Sequence, residues 1–149
     1  LAIMVLGQGL RLAPGSPWLH LNRGAALQQI GEYEAAEQDY RRAIALGLNT
    51  RPLQTNLGLL YAATGRYREA RRALRAARRL RGVSGEETSV YTNMALLLRG
   101  EGNLDRALRF LRRAQRLAPR NPGIALEIQK TEHRRSQSGR AEEGGSTVP

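Results

Sequence analysis

Two residue types recur in this sequence at spacings that could do chemistry. Arg68, Arg71, Arg72, Arg75, Arg78 and Arg79 follow one another in close order, and Arg109, Arg112, Arg113 and Arg116 repeat the pattern further on. At ~100° per residue a helix gathers each set onto one arc. A row of guanidinium forks is what the phosphates of nucleic acid, or another polyanion, would meet. The second type is asparagine: Asn22, Asn56 and Asn93 stand 34 and then 37 residues apart. A carboxamide carries donor and acceptor together, so it can pair with both the N–H and the C=O of a peptide unit, whatever side chain that unit bears. Catalysis finds no such support. His20 and His133 are the only histidines and lie far apart, and there is no cysteine. Neither a metal centre, a thiolate nor a disulfide framework is expected. The carboxylates fall on exposed helix faces and turns, and the Gly-rich "EEGGS" belongs to a polar tail and not to a phosphate loop. No cofactor and no enzymatic activity are expected.

The elements that would position these residues come from an internal repeat. Three stretches beginning at Asn22, Asn56 and Asn93 align over their whole length. Gly31, Gly65 and Gly102 fall in register, as do Ala36, Ala70 and Ala107. Tyr40, Leu74 and Leu111 form the next column, followed by Ala43, Ala77 and Ala114, and then by Leu46, Leu80 and Leu117. Apolar residues recur three and four apart on both sides of each glycine, which predicts two amphipathic helices around a glycine turn. Small alanines let the paired helices approach, and the large Tyr or Leu between them fills the groove. Ser16-Pro17 and Asn121-Pro122 read as N-cap and first helical residue. The three extra residues of the second step fit the polar "GVSGEE", where an insertion does least harm.

This pattern resembles the tetratricopeptide repeat family, whose unit is a 34-residue helix–turn–helix. The resemblance runs from about Pro17 to Pro119 and rests on Gly24 and Gly58 after the asparagine, the "GEYEAA" and "GRYREA" turns, and the closing Pro119. The chain departs from the family pattern at His20, Gln54, Ala95 and Leu104 without losing a core-forming column. The fold class expected is all-α, a right-handed superhelical solenoid. Residues 1–14 are in phase with the second helix of an incomplete repeat, expected to belong to a longer array. Repeats follow at 17–50, 51–84 and 88–121, then a capping helix at 122–135 and a disordered polar tail at 136–149.

The resemblance implies that the first helices line a concave groove and the second helices an outer, convex face. Groove residues would then be Trp18, Leu21, Asn22, Ala25, Gln28 and Gln29; Thr55, Asn56, Leu59 and Ala62; and Ser89, Thr92, Asn93, Leu96 and Arg99. Some relatives hold an acidic C-terminus with a clamp of basic residues and asparagines; here only Asn56 matches that clamp, which is absent. The groove predicts a protein or extended-peptide partner. Adjacent first helices lie ~8–10 Å apart and an extended chain advances ~3.3 Å per residue, so one asparagine would meet a bound peptide about every third residue. The convex arginines predict the alternative, a nucleic acid or other polyanion. Against it stand few aromatic residues, no stacking platform among the arginines, and a bias to arginine in which Lys130 is the sole lysine. The net charge of +11 keeps the question open, and an acidic run at Glu32, Glu34, Glu37 and Asp39 makes the surface dipolar. A third reading makes the array the targeting arm of a longer enzyme. No apolar run approaches the ~20 residues that span a bilayer, and "LAIMVLG" lacks the basic flank of a signal peptide. Ile3, Met4 and Leu6 predict an open apolar face and, through it, a weak homodimer.

Overall fold

Short polar side chains and prolines open several of the helices. The Ser16 hydroxyl accepts from the Leu19 N–H at 3.4 Å, Thr50 accepts from Leu53 N–H at 3.5 Å, and Asn103 accepts from Arg106 N–H at 3.4 Å. Each satisfies a donor that the first turn leaves without an intrahelical partner. Pro17 takes the first helical position, where a missing N–H costs nothing. The computed structural model of the chain describes residues 1–82 and 85–144. Among the described residues there are eight helices and no strand: α1 (Ala2–Leu12), α2 (Pro17–Gln29), α3 (Tyr33–Ala45), α4 (Arg51–Ala63), α5 (Tyr67–Arg79), α6 (Glu86–Gly100), α7 (Leu104–Leu117) and α8 (Pro122–Gly144). The helices α2 and α3, α4 and α5, and α6 and α7 pack against each other in pairs, helix on helix.

The turn inside each repeat is the same piece of backbone three times. Gly31, Gly65 and Gly102 take φ of 84°, 74° and 79°, the left-handed region that a side chain would strain. The residue after each glycine returns its N–H to the carbonyl five residues back: Glu32 to Leu27 at 3.0 Å, Arg66 to Tyr61 at 2.7 Å and Asn103 to Leu98 at 2.8 Å. The glycine N–H bonds Gln28, Ala62 and Arg99 respectively. These paired bonds satisfy the end of the first helix and reverse the chain into the second.

The chain divides into two units, Leu1–Gly82 with α1 to α5, and Val83–Pro149 with α6 to α8. In the first unit Tyr40, Leu53 and Leu60 are almost wholly buried with Leu21, Ala36, Ala43 and Leu57. The close approach of α2 to α3 and of α4 to α5 depends on a glycine in each first helix. A Cβ added at Gly24 would stand 2.7 Å from Tyr40 Cε1, and one at Gly58 would stand 2.6 Å from Leu74 Cγ. Buried Arg51, at the start of α4, donates from Nε to the carbonyls of Ala77 and Leu80 at 3.3 and 3.1 Å, so a side chain from one helix closes the end of another. In the second unit Tyr91, Ala114 and Ile124 form a core with Phe110 and Ile128 against it. Arg99 of α6 donates to Glu127 of α8 at 2.6 Å.

Two boundaries differ from the sequence expectation. α6 opens at Glu86, ahead of residue 88, with Glu86 and Glu87 in the first turn, where negative charge suits the helix dipole. α8 continues past residue 135 to Gly144. Ser136 and Ser138 turn their hydroxyls back onto the carbonyls of Glu132 and Arg134, and Arg135 reaches Asp105 at 3.2 Å. The polar side chains there follow the helix instead of competing with it. Of the tail expected at 136–149, residues 145–149 lie outside the described residues, as do 83 and 84 of the linker.

Candidate functional site

On α2 the exposed arc carries Trp18 and Asn22, four residues apart; Trp18 is 55% exposed, and Asn22 is exposed as well. Leu21 was expected on this face, but it is 6% exposed and lies in the core. The reason is its arc: it shares a face with Gly24, three residues on, which meets α3. On α4, Leu59 is 37% exposed and Asn56 half-buried. Asn56 also lies close enough to the Tyr40 hydroxyl to favour its ionised form. That hydroxyl donates to Gln28 at 2.7 Å. Burial pushes the Tyr40 phenol well above its ordinary value; Asn56 pulls the other way and is outweighed. On α6 in the second unit, Asn93 and Leu96 are half-buried, and Arg99 is engaged by Glu127, with Thr131 at 3.4 Å. Burial of Glu127 opposes its charge, but hydrogen bonds from Lys130 and Arg99 prevail and hold its carboxyl below the usual carboxylate range.

The arginine rows are placed differently in the two units. Along α5, Arg68, Arg72, Arg75, Arg78 and Arg79 are exposed and Arg71 half-buried, opposite Ala70, Leu74 and Ala77, which are at most 1% exposed. Arg68, Arg71, Arg72, Arg75 and Arg79 line an open cleft of about 660 Å³ with Ala76. Along α7, Arg109 and Arg116 are exposed, but Arg112 pairs with Glu132 at 3.1 Å and Arg113 lies 5.1 Å over the Tyr91 ring.

Sequence reasoning missed two polar networks of the first unit. Asp39, 3% exposed, accepts both bonds of the Arg23 fork at 2.6 and 2.7 Å and stands 2.8 Å from His20 Nδ1. The other ring nitrogen of His20 faces the Pro14 carbonyl at 3.3 Å. Glu37 of α3 takes Arg66 at 2.9 Å, and the Arg66 guanidinium lies 4.4 Å over the Tyr61 ring. Burial, with Glu37 beside it, raises the Tyr61 phenol. Partners 16 to 29 residues apart leave no local spacing to read. Among the described residues no cluster of three or more His, Cys, Asp or Glu is placed to hold a metal, and no helix is long and apolar enough to cross a membrane.

The family described as tetratricopeptide repeat matches residues 49–120, and a second description of the same family matches residues 17–47. The chain is 35% identical over 69 residues to small glutamine-rich tetratricopeptide repeat-containing protein 2 of Mycosarcoma maydis; the match covers 46% of this chain and 20% of that protein. The chain thus spans about a fifth of the length of that relative. Among solved structures, PilF of Pseudomonas aeruginosa superposes with a TM-score of 0.78 at 23% identity, over 93% of this chain and 62% of its own. TTC0263, a thermophilic TPR protein of Thermus thermophilus, gives 0.75 at 20% identity, over 87% and 71%. YrrB, described as a TPR protein with an unusual peptide-binding site, gives 0.68 at 18% identity, over 90% and 68%. At these identities the likeness shows the fold, the all-α class of helical-repeat solenoids.

Proposed function

The chain belongs to the tetratricopeptide repeat family, a family of protein–protein interaction scaffolds, and from that premise we propose that it binds an extended segment of a partner protein along its first helices. The observation that carries this reading is the exposure of Trp18 and Leu59 on the first helices of two successive repeats, each within four residues of an asparagine. Large apolar side chains left to water beside polar groups are the composition of a binding surface. Asn22, free on its exposed arc, pairs with the backbone of the peptide, while Trp18 and Leu59 supply apolar preference. Asn56 contributes less than sequence spacing implied, because it is half-buried where Asn22 is exposed. Each peptide bond made should contribute ~0.5–1.5 kcal/mol net, which suits a weak, broad binder acting without catalysis. In a longer protein the same surface would serve as a targeting arm.

The test is selection from an unbiased peptide library, followed by binding of the recovered ligands to Asn22→Ala and Trp18→Ala variants. Both positions are exposed, so the fold should melt as in the parent while affinity falls. Ligands that bind both variants as tightly as the parent would remove the proposed site.

A further inference from the structure

The geometry points to a second binding site, on the exposed face of α5, for the phosphate backbone of a single nucleic-acid strand. Six of the thirteen residues of α5 are arginine, and Glu69 is its only acid. That acid is engaged by Arg66 at 3.1 Å. Arg68, Arg72, Arg75, Arg78 and Arg79 form no ion pair among the described residues. Four arginines elsewhere are used by the fold, Arg23 by Asp39, Arg66 by Glu37, Arg99 by Glu127 and Arg135 by Asp105, while Arg106, Arg109, Arg116 and Arg120 are exposed as the α5 row is. On α7 the run is broken, since Arg112 and Arg113, between exposed Arg109 and Arg116, are engaged by Glu132 and Tyr91. A compositional bias to arginine explains the residue type but not five unpaired cations in one run. Like charges three and four residues apart destabilise a helix, and the row sets Arg68 against Arg72, Arg72 against Arg75, and Arg75 against both Arg78 and Arg79. Such a row is stabilised by an anionic ligand.

The chemistry of the face selects among anions. Arg68 to Arg79 spans ~16 Å of helix axis, and the cleft of about 660 Å³ between these side chains is open. Planar guanidinium forks suit phosphate oxygens. Tyr67, 45% exposed, stands at the head of the row, where a base can stack on it. No Leu, Ile, Val, Met or Phe of α5 is exposed, so the face offers nothing to the apolar side chains of a peptide or to an acyl chain. A linear phosphate backbone with one base stacked on Tyr67, at the head of the row and not among the arginines, uses what is present.

The experiment is binding of a labelled oligothymidylate to the whole chain over a range of salt. With five exposed arginines and ~0.7 per phosphate for a single strand, the slope of log K against log salt should lie near about −3 to −4. Replacing four of them together (R68Q, R72Q, R75Q, R79Q) should weaken binding at least about tenfold and flatten the slope, with the melting temperature unchanged or raised because like-charge repulsion is relieved. R106Q, R109Q, R116Q and R120Q, which remove the same charge elsewhere, should bind like the parent. Tyr67→Ala should weaken binding about fivefold or more. Equal loss in the second quadruple variant would show diffuse attraction to net charge and overturn the site. So would equal affinity for a duplex of the same length, or for polyglutamate.

Discussion

An added Cβ at Gly58 would stand 2.6 Å from Leu74 Cγ, a side chain 1% exposed with nowhere to retreat. Gly58→Ala is therefore expected to lower stability by about 1–2 kcal/mol, an overpacking cost of about 1–3 kcal/mol offset by at most ~1 kcal/mol of helix propensity. Ala95 occupies the same column in the third repeat and is fully buried there, so that repeat has made room for the methyl group; denaturant unfolding of Gly58→Ala and Ala95→Gly should show both changes destabilising. Tyr40 gives a pH signature. Its folded-state pKa lies above its ordinary 10.0, chiefly through burial. Its contribution is thus fully present below pH 10.0 and is lost as alkalinity ionises the phenol. Stability measured above pH 10.0 should fall with pH, and Tyr40→Phe should flatten that fall while costing about 1 kcal/mol at neutral pH for the bond to Gln28. Tyr61, raised in the same direction, accounts for the slope that remains. The columns around Tyr40 and Leu74 were legible because each recurs in register. The Asp39 network was not, because Arg23 and His20 reach it across the α2–α3 turn and no second repeat carries a copy.

At the scale of elements, the repeats were readable because left-handed turns accept glycine and little else, and three aligned glycines marked three turns. Gly47 also takes a left-handed φ, 89°, with Leu48 N–H returning to Ala43 at 3.0 Å. It ends α3 by the same device, but it falls outside the aligned columns and so passed unread. The extent of α8 was hidden for another reason: serine and glycine argue for disorder by composition, whereas hydroxyls of Ser136 and Ser138 are satisfied within the helix. α1 leaves large apolar side chains in water. Met4 and Val5 are 69% and 57% exposed, while Ile3 and Leu6 are half-buried. Of the residues expected on this face, Met4 is exposed and Ile3 and Leu6 are not; Val5 joins Met4 in carrying it. We propose weak self-association of the chain through it. Sedimentation should show a concentration-dependent shift toward dimer that Met4→Glu with Val5→Glu abolishes; a monomer at high micromolar concentration, parent and variant alike, would exclude it.

For the molecule as a whole, fold and function were legible to different depths. Repeat number, turn positions and most of the buried columns follow from spacing, because core packing repeats with the chain. The binding face does not follow from spacing alone, since burial decides which first-helix residues reach water. Leu21 went to the core and Arg99 to Glu127, whereas Trp18, Asn22 and Leu59 stayed exposed. Family membership supplies the scaffold role, and the exposed residues supply the proposed site. Trp18 is the only tryptophan of the chain, 55% exposed within that site, so its fluorescence reports on the site and on nothing else. The most direct measurement is therefore Trp18 emission during titration with a library-selected peptide that itself lacks tryptophan. A saturable blue shift, with the midpoint matching the independently measured affinity and weakened by Asn22→Ala, is the expected result. Binding that saturates while Trp18 emission stays unchanged would place the partner elsewhere and contradict the proposal.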